Sequence, residues 1–176
     1  MPHSITKSCD SDYVLGGREI CGLAVGESFD ASALHTLLHD PLPTMHQGTA
    51  PRHTILLYPE STHDPALGLP SPPPLPSAMT LQPDGLRLIV LDGTWRKSRK
   101  MLYCNPLLQQ LPRLALTAVG TGAYRIRKAH QPHQLSTLEA TCAALAQLEG
   151  HAAPYAPLLH AFDGFITQQQ AYLPSN

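Results

Sequence analysis

The sequence predicts an α/β fold, a mostly parallel sheet with helices on both faces, and three observations predict it. Two short, continuous apolar runs, "HTILLYP" and "LRLIVLD", have the length and unbroken hydrophobicity of strands buried on both sides. Each run stops at residues that break a strand, Pro59 in the first and Asp92-Gly93 in the second. Helix-patterned segments follow the second run and close the chain, so strands and helices alternate.

Taken in order, residues 1–50 read as a divergent N-terminal part of a single domain covering 1–176. There "YVLGGREICGLAV" mixes strand-like residues with a Gly-Gly turn, and "SALHTLLHD" (Ser32 to Asp40) reads as a short helix. His53 to Tyr58 is the first strand. From Pro59 to Asp84 come eight prolines, including "PSPPPLP", which exclude helix and central strand alike. Segment 59–84 is therefore a long loop within the domain, stiffened toward polyproline II. "LRLIVLD" is the second strand. "WRKSRKMLY" follows as a helix, with Trp95, Met101 and Leu102 as its apolar contacts.

A third strand, "RLALT" (Arg113 to Thr117), comes after "NPLLQQLP". "GTGAYRIRKAHQPHQ" is a basic, glycine-bearing loop or short strand. The next helix is the most clearly marked. In "LSTLEATCAALAQLEG", Ser136 is the N-cap, Glu139 completes a capping box, and Gly150 ends the helix. Leu138, Cys142, Leu145 and Leu148 recur at helical spacing. A last amphipathic helix, "YAPLLHAFDGFITQQQAYL", places Leu158, Phe162, Phe165 and Ile166 on one face. No internal repeat is visible.

Composition narrows the function classes. With 176 residues and 43% hydrophobic content the chain can bury a sizeable core. It has no apolar run long enough for a membrane helix and no recognisable secretory signal, so a cytoplasmic protein without membrane contact is expected. The cysteines, at 9, 21, 104 and 142, form no CxxC pair and read as free thiols in a reducing compartment. The formal net charge is −1, but its distribution is uneven. Between Arg87 and Lys128 stand nine Lys or Arg and one acid, Asp92; the rest of the chain holds three basic and twelve acidic residues. Such asymmetry suits a polyanion-binding face, although a solvated helix face with scattered arginines would give the same count.

Asp92 stands at the end of a strand, where parallel sheets hold their ligands. It could cap the following helix, or it could accept a proton or orient a nucleophile. Gly93 permits close approach of a ligand to the backbone. Thr94 offers a hydroxyl, and Trp95 offers either core packing or a stacking face. On a helix Arg96, Arg99 and Lys100 share one side while Lys97 points away. In "YRIRK" the strand period would aim Arg125 and Arg127 at one target, for which phosphate is a natural candidate. His35 with His39, and His130 with His133, are the closest approach to metal-ligand spacing. They lack cysteine or carboxylate partners, and no metal is expected. GxGxxG, GKS/T and GxSxG are all absent.

"LDGTW" (91–95) with "RKSRKM" behind it, then "YRIRK" (124–128), then "LSTLEA" (135–140), resemble the signature blocks of the DTW-domain family, in the same order. "ILLYP" (55–59) is similar to the family's preceding strand. The resemblance covers roughly residues 53–170 and implies a SPOUT-like α/β domain with a C-terminal trefoil knot. It implies transfer of the 3-amino-3-carboxypropyl group of S-adenosylmethionine to N3 of a tRNA uridine, giving acp3U. Leu57, Tyr58, Pro59, Gly93, Thr94 and Trp95 would then hold the cosubstrate, and Ser136 and Thr137, at a helix N-terminus, its carboxylate. Asp92 would accept or direct the N3 proton. Arg96, Arg99, Lys100, Arg125 and Arg127 would meet tRNA phosphates. The family's usual cysteine-rich N-terminal segment has no counterpart in this sequence. A SPOUT-like RNA methyltransferase and a catalytically inactive RNA-binding module remain open as alternatives, as do a monomer and a homodimer.

Overall fold

The computed structural model describes residues 14–15, 18–19, 26–40, 53–59, 71–75, 85–117 and 135–171. The chain divides into two compact units, 1–115 and 116–176.

The first unit carries both sheets. β1 (Val14–Leu15) and β2 (Arg18–Glu19) pair antiparallel, and the two residues between them in the sequence are Gly16 and Gly17. β3 (His53–Leu57), β4 (Leu86–Ile89) and β5 (Arg113–Leu114) form a parallel sheet in the order β4-β3-β5. β3 is therefore central. Its Ile55 and Leu56 are both fully buried on opposite faces, as the unbroken apolar run requires. The predicted second and third strands are shorter than their apolar runs, since pairing stops at Ile89 and Leu114. The described part of the proline-rich segment, 71–75, is neither helix nor strand.

One face of this sheet is covered by α1 (Ala31–His39), α2 (Trp95–Cys104) and α3 (Pro106–Gln109). Leu34 and Leu38 of α1, Leu102 of α2 and Leu108 of α3 pack with Leu56, Tyr58 and Leu111 into one cluster, which Phe29, Leu37, Ile89, Leu91 and Leu107 flank. α1 forms because Asp30 caps it, accepting from the Ala33 N–H at 2.9 Å, and because Leu34 and Leu38 lie one turn apart.

The carbonyls at the end of α1 are satisfied from the sheet. Thr36 O accepts from the Asp40 N–H at 3.0 Å, and Leu38 O from the Thr54 hydroxyl at 2.7 Å. Arg87 donates to Leu37 O and Asp40 O, both at 2.6 Å. Thr54 and Arg87 are direct partners across β3 and β4, so one rung of the sheet closes the helix end. A buried cation at a helix C-terminus also suits the macrodipole. Asn105, 2% exposed, ties residues 27–29 to the end of α2. Its Oδ1 accepts from the Phe29 N–H at 2.9 Å, and its Nδ2 donates to Glu27 O at 2.9 Å and Met101 O at 2.6 Å.

The second unit contains α4 (Thr137–Glu149), a 3-10 turn (Ala153–Tyr155) and α5 (Ala156–Ala171). The Ser136–Glu139 capping box is formed, and Gly150 ends α4 with a left-handed φ of 75°. The buried residues of α4 are Cys142, Ala143 and Ala144, while Leu138, Leu145 and Leu148 are only half-buried. On the last helix the expected face is half-buried at Leu158, Phe162 and Ile166 and corrected at Phe165. Tyr155 and Leu159, one turn apart, are buried, and Phe165 is 54% exposed. No described helix is long and apolar enough to cross a membrane.

Candidate functional site

β3 and β4 run parallel, so their carboxyl ends lie on the same side, and the loops there carry most of the residues singled out above. Leu57, Tyr58 and Pro59 leave β3; Asp92, Gly93, Thr94 and Trp95 lie between β4 and the first turn of α2. The structure brings two of them together directly. The Tyr58 and Trp95 rings lie 5.3 Å apart between centroids and are tilted by 31°. Tyr58 is buried and belongs to the core cluster, while Trp95 is 60% exposed. Trp95 is thus not the core contact of α2; Ser98 and Leu102 are. A half-exposed indole backed by a fixed tyrosine is a platform on which a flat, apolar group can stack.

The loop excludes one of the uses open to Asp92, that of helix cap. The N-cap of α2 is Thr94, whose hydroxyl accepts from the Lys97 N–H at 3.4 Å. Asp92 is exposed and makes no hydrogen bond or ion pair among the described residues. Its carboxylate is therefore not spent on the helix start. Gly93 has a simpler reason than ligand approach. Its φ of 153° is one that side-chain-bearing residues rarely adopt, and a Cβ there would meet the Lys97 Cβ at 3.2 Å.

The cations sort into distinct groups. Arg96, Lys97, Arg99 and Lys100 are all exposed on α2. Lys100 is paired with Glu27, a residue that sequence patterning did not connect to this helix. The hydrogen bond from Lys100 holds the Glu27 carboxyl below its ordinary range; desolvation opposes it, and the charges of Lys100, Lys97 and Arg96 act in the lowering sense. Glu27 in turn raises the Lys100 ammonium. Arg87 and Arg113, counted above as part of a polyanion face, lie inside the protein instead, 8% and 2% exposed. Arg113 lies over the Tyr58 ring, its Cζ 5.2 Å from the ring centroid. The available signal for it was an arginine opening an apolar strand with no acid nearby in the sequence.

Ser136 and Thr137 lie in the second unit. The Ser136 N–H donates to the Glu139 carboxylate at 2.8 Å and its hydroxyl to the same oxygen at 2.6 Å, while the Glu139 N–H donates back to Ser136 Oγ at 3.2 Å. The helix start thus already carries a carboxylate of its own. Arg125 and Arg127, with His130 and His133, lie outside the described residues. The His35 and His39 rings pack 4.5 Å apart, and among the described residues no group of three or more His, Cys, Asp or Glu could hold a metal ion.

Comparison with known proteins places this geometry in a family. The DTW domain matches residues 17–170, both units and nearly the whole chain. A tRNA-uridine aminocarboxypropyltransferase 2 of Drosophila melanogaster is 39% identical over 62 residues, which is 35% of this chain and 25% of that protein. The chain thus aligns with about a quarter of the relative's length. No solved structure matches.

Proposed function

The chain belongs to the DTW-domain family, and on that premise we propose that it transfers the 3-amino-3-carboxypropyl group of S-adenosylmethionine to N3 of a uridine in tRNA. The products would be acp3U and 5′-methylthioadenosine. The observation that carries this reading is that the Asp92 carboxylate, not spent on the helix start, and the Tyr58–Trp95 platform both lie at the carboxyl ends of parallel strands. The name of the Drosophila relative supports the choice of reaction and of tRNA. A SPOUT-like architecture with a C-terminal trefoil knot belongs to the same proposal, and the parallel order β4-β3-β5 supports its α/β part.

The sulfonium makes three carbons open to attack, and the choice among them is positional. In the proposed step N3 bonds to the γ-carbon of the amino-acid arm. The bond from that carbon to sulfur breaks, its electron pair returning to sulfur to give a neutral thioether. The N3 proton passes to the Asp92 carboxylate, whose basicity suffices because N3 becomes acidic only as its new bond forms. Tyr58 and Trp95 would stack the adenine, with Leu57, Pro59, Gly93 and Thr94 lining the loops around it. Arg96 and Arg99, with Lys100 once Glu27 is displaced, would meet tRNA phosphates, and Arg125 and Arg127 would extend that surface.

The test is incubation with S-adenosylmethionine and unmodified tRNA. Release of 5′-methylthioadenosine with acp3U in the digested tRNA is expected. Release of S-adenosylhomocysteine would move the reaction to methyl transfer, and RNA binding without turnover would reduce the protein to a binding module.

A further inference from the structure

Among the described residues, Arg113 is a buried cation without a counter-ion. Its side chain is 2% exposed, and its Nε, Nη1 and Nη2 meet no hydrogen-bond acceptor. A guanidinium carries five N–H donors and keeps its charge at any ordinary pH, so an unpaired one in the interior is heavily penalised. Desolvation pulls the Arg113 pKa down, and Tyr58 acts in the opposite sense. The Tyr58 face at 5.2 Å offsets only part of that penalty. Arg87, on the other edge strand of the same sheet, shows how the fold treats a structural guanidinium: two carbonyls meet it at 2.6 Å. Arg113 receives nothing comparable.

Its position gives the missing partner a place. Arg113 opens β5 and is the Cα partner of Leu56, so it shares a sheet face with Leu56 and Tyr58. Tyr58 contacts both it and Trp95. A small planar anion entering at the strand ends along Tyr58 would find the guanidinium fork, which matches a carboxylate in a bidentate pair.

We propose that Arg113 binds the α-carboxylate of the amino-acid arm of the sulfonium cosubstrate and so fixes which carbon faces the nucleophile. This rests on the function proposed above. Holding the carboxylate end of the arm constrains the γ-carbon, whereas a site that gripped only the adenine would leave arm and methyl group to exchange places.

Calorimetric titration of the full chain with S-adenosylmethionine, and separately with 5′-methylthioadenosine, tests it; the second compound has the same nucleoside and no arm. The wild-type chain is expected to prefer S-adenosylmethionine. Arg113→Met is expected to lose about 10- to 100-fold in S-adenosylmethionine affinity, the size of a lost charge-assisted contact, with 5′-methylthioadenosine binding unchanged. Arg113→Lys, which keeps the charge but not the fork, should fall between. Unchanged 5′-methylthioadenosine binding also shows that the variant is folded. Should Arg113→Met not fold, Arg113→Lys decides: selective loss of S-adenosylmethionine affinity supports the role, and wild-type selectivity overturns it. Wild-type selectivity in both variants overturns the role of Arg113 alone. Failure of the wild-type chain to bind S-adenosylmethionine overturns the parent reading with it.

Discussion

Replacing Asn105 with alanine removes the buried tie between residues 27–29 and the C-terminal end of α2. Three hydrogen bonds disappear, from the Phe29 N–H and to Glu27 O and Met101 O. At a net ~1 kcal/mol each the loss is about 3 kcal/mol, and the stranded polar groups of residues 27–29 push it upward. With a urea slope of ~2 kcal/mol per molar, the unfolding midpoint should fall by about 1.5 M. Trp95 is the only tryptophan and lies in the same unit as Asn105, so its fluorescence follows the unfolding of this unit. A midpoint within about 0.3 M of the wild-type value at an unchanged slope would show that the tie contributes little, and the account of how residues 27–29 are held would be wrong.

Asp92→Asn should lower 5′-methylthioadenosine release by about 10²- to 10³-fold while cosubstrate affinity and melting temperature stay as they were, because Thr94 rather than Asp92 caps α2; wild-type turnover would end its assignment. Glu27→Gln should free Lys100, tighten single-stranded RNA binding several-fold and steepen its logarithmic salt dependence by about 0.7, and an unchanged slope would exclude Lys100 from the RNA surface. The same variant has a pH signature. Because Glu27 is held below its ordinary value of 4.5, the contribution of the pair to stability is fully present above that value and fades as pH falls through the lowered one. Wild-type and variant melting curves should therefore converge only at low pH. Cys142, fully buried and with its thiol pushed up by desolvation and by Glu139, should resist a thiol reagent in the folded protein while the half-buried Cys104 reacts; equal labelling in peptide maps would contradict that burial.

Local signals carried the reading of the sequence where neighbours in the chain settle the outcome. The run around Ile55 and Leu56, the Ser136–Glu139 capping box and Gly150 each state their structure within a few residues, and each is found as read. The Asp92 loop was legible as a strand end; the division of its labour was not, since Asp92 and Thr94 are both competent caps and only geometry assigns the bond to Thr94. Charge was legible as a count and misleading as a surface. Arg87 and Arg113 belong to the same basic segment as α2, yet strand pairing turns them inward, and pairing connects residues tens of positions apart. Glu27 escaped notice for the same reason, lying more than seventy residues from Lys100. On α5 the expected face was legible at Leu158, Phe162 and Ile166, which are half-buried, and it failed at Phe165, which is exposed.

The rung formed by Thr54 and Arg87 has a consequence for how the strands choose one another. A sheet built from runs such as "TILL" and "LRLIV" is apolar at nearly every position, so slipping by one residue would still bury leucine and isoleucine, and hydrophobicity alone discriminates weakly. The hydroxyl and the guanidinium supply the missing discrimination. In the observed register they meet Leu38 O, Leu37 O and Asp40 O together. Displaced by one residue, Arg87 would point to the opposite face with its charge buried, and the last turn of α1 would lose its acceptors' partners at the same moment. Thr54 and Arg87 thus act as a key between β3 and β4, making a one-residue slip costly.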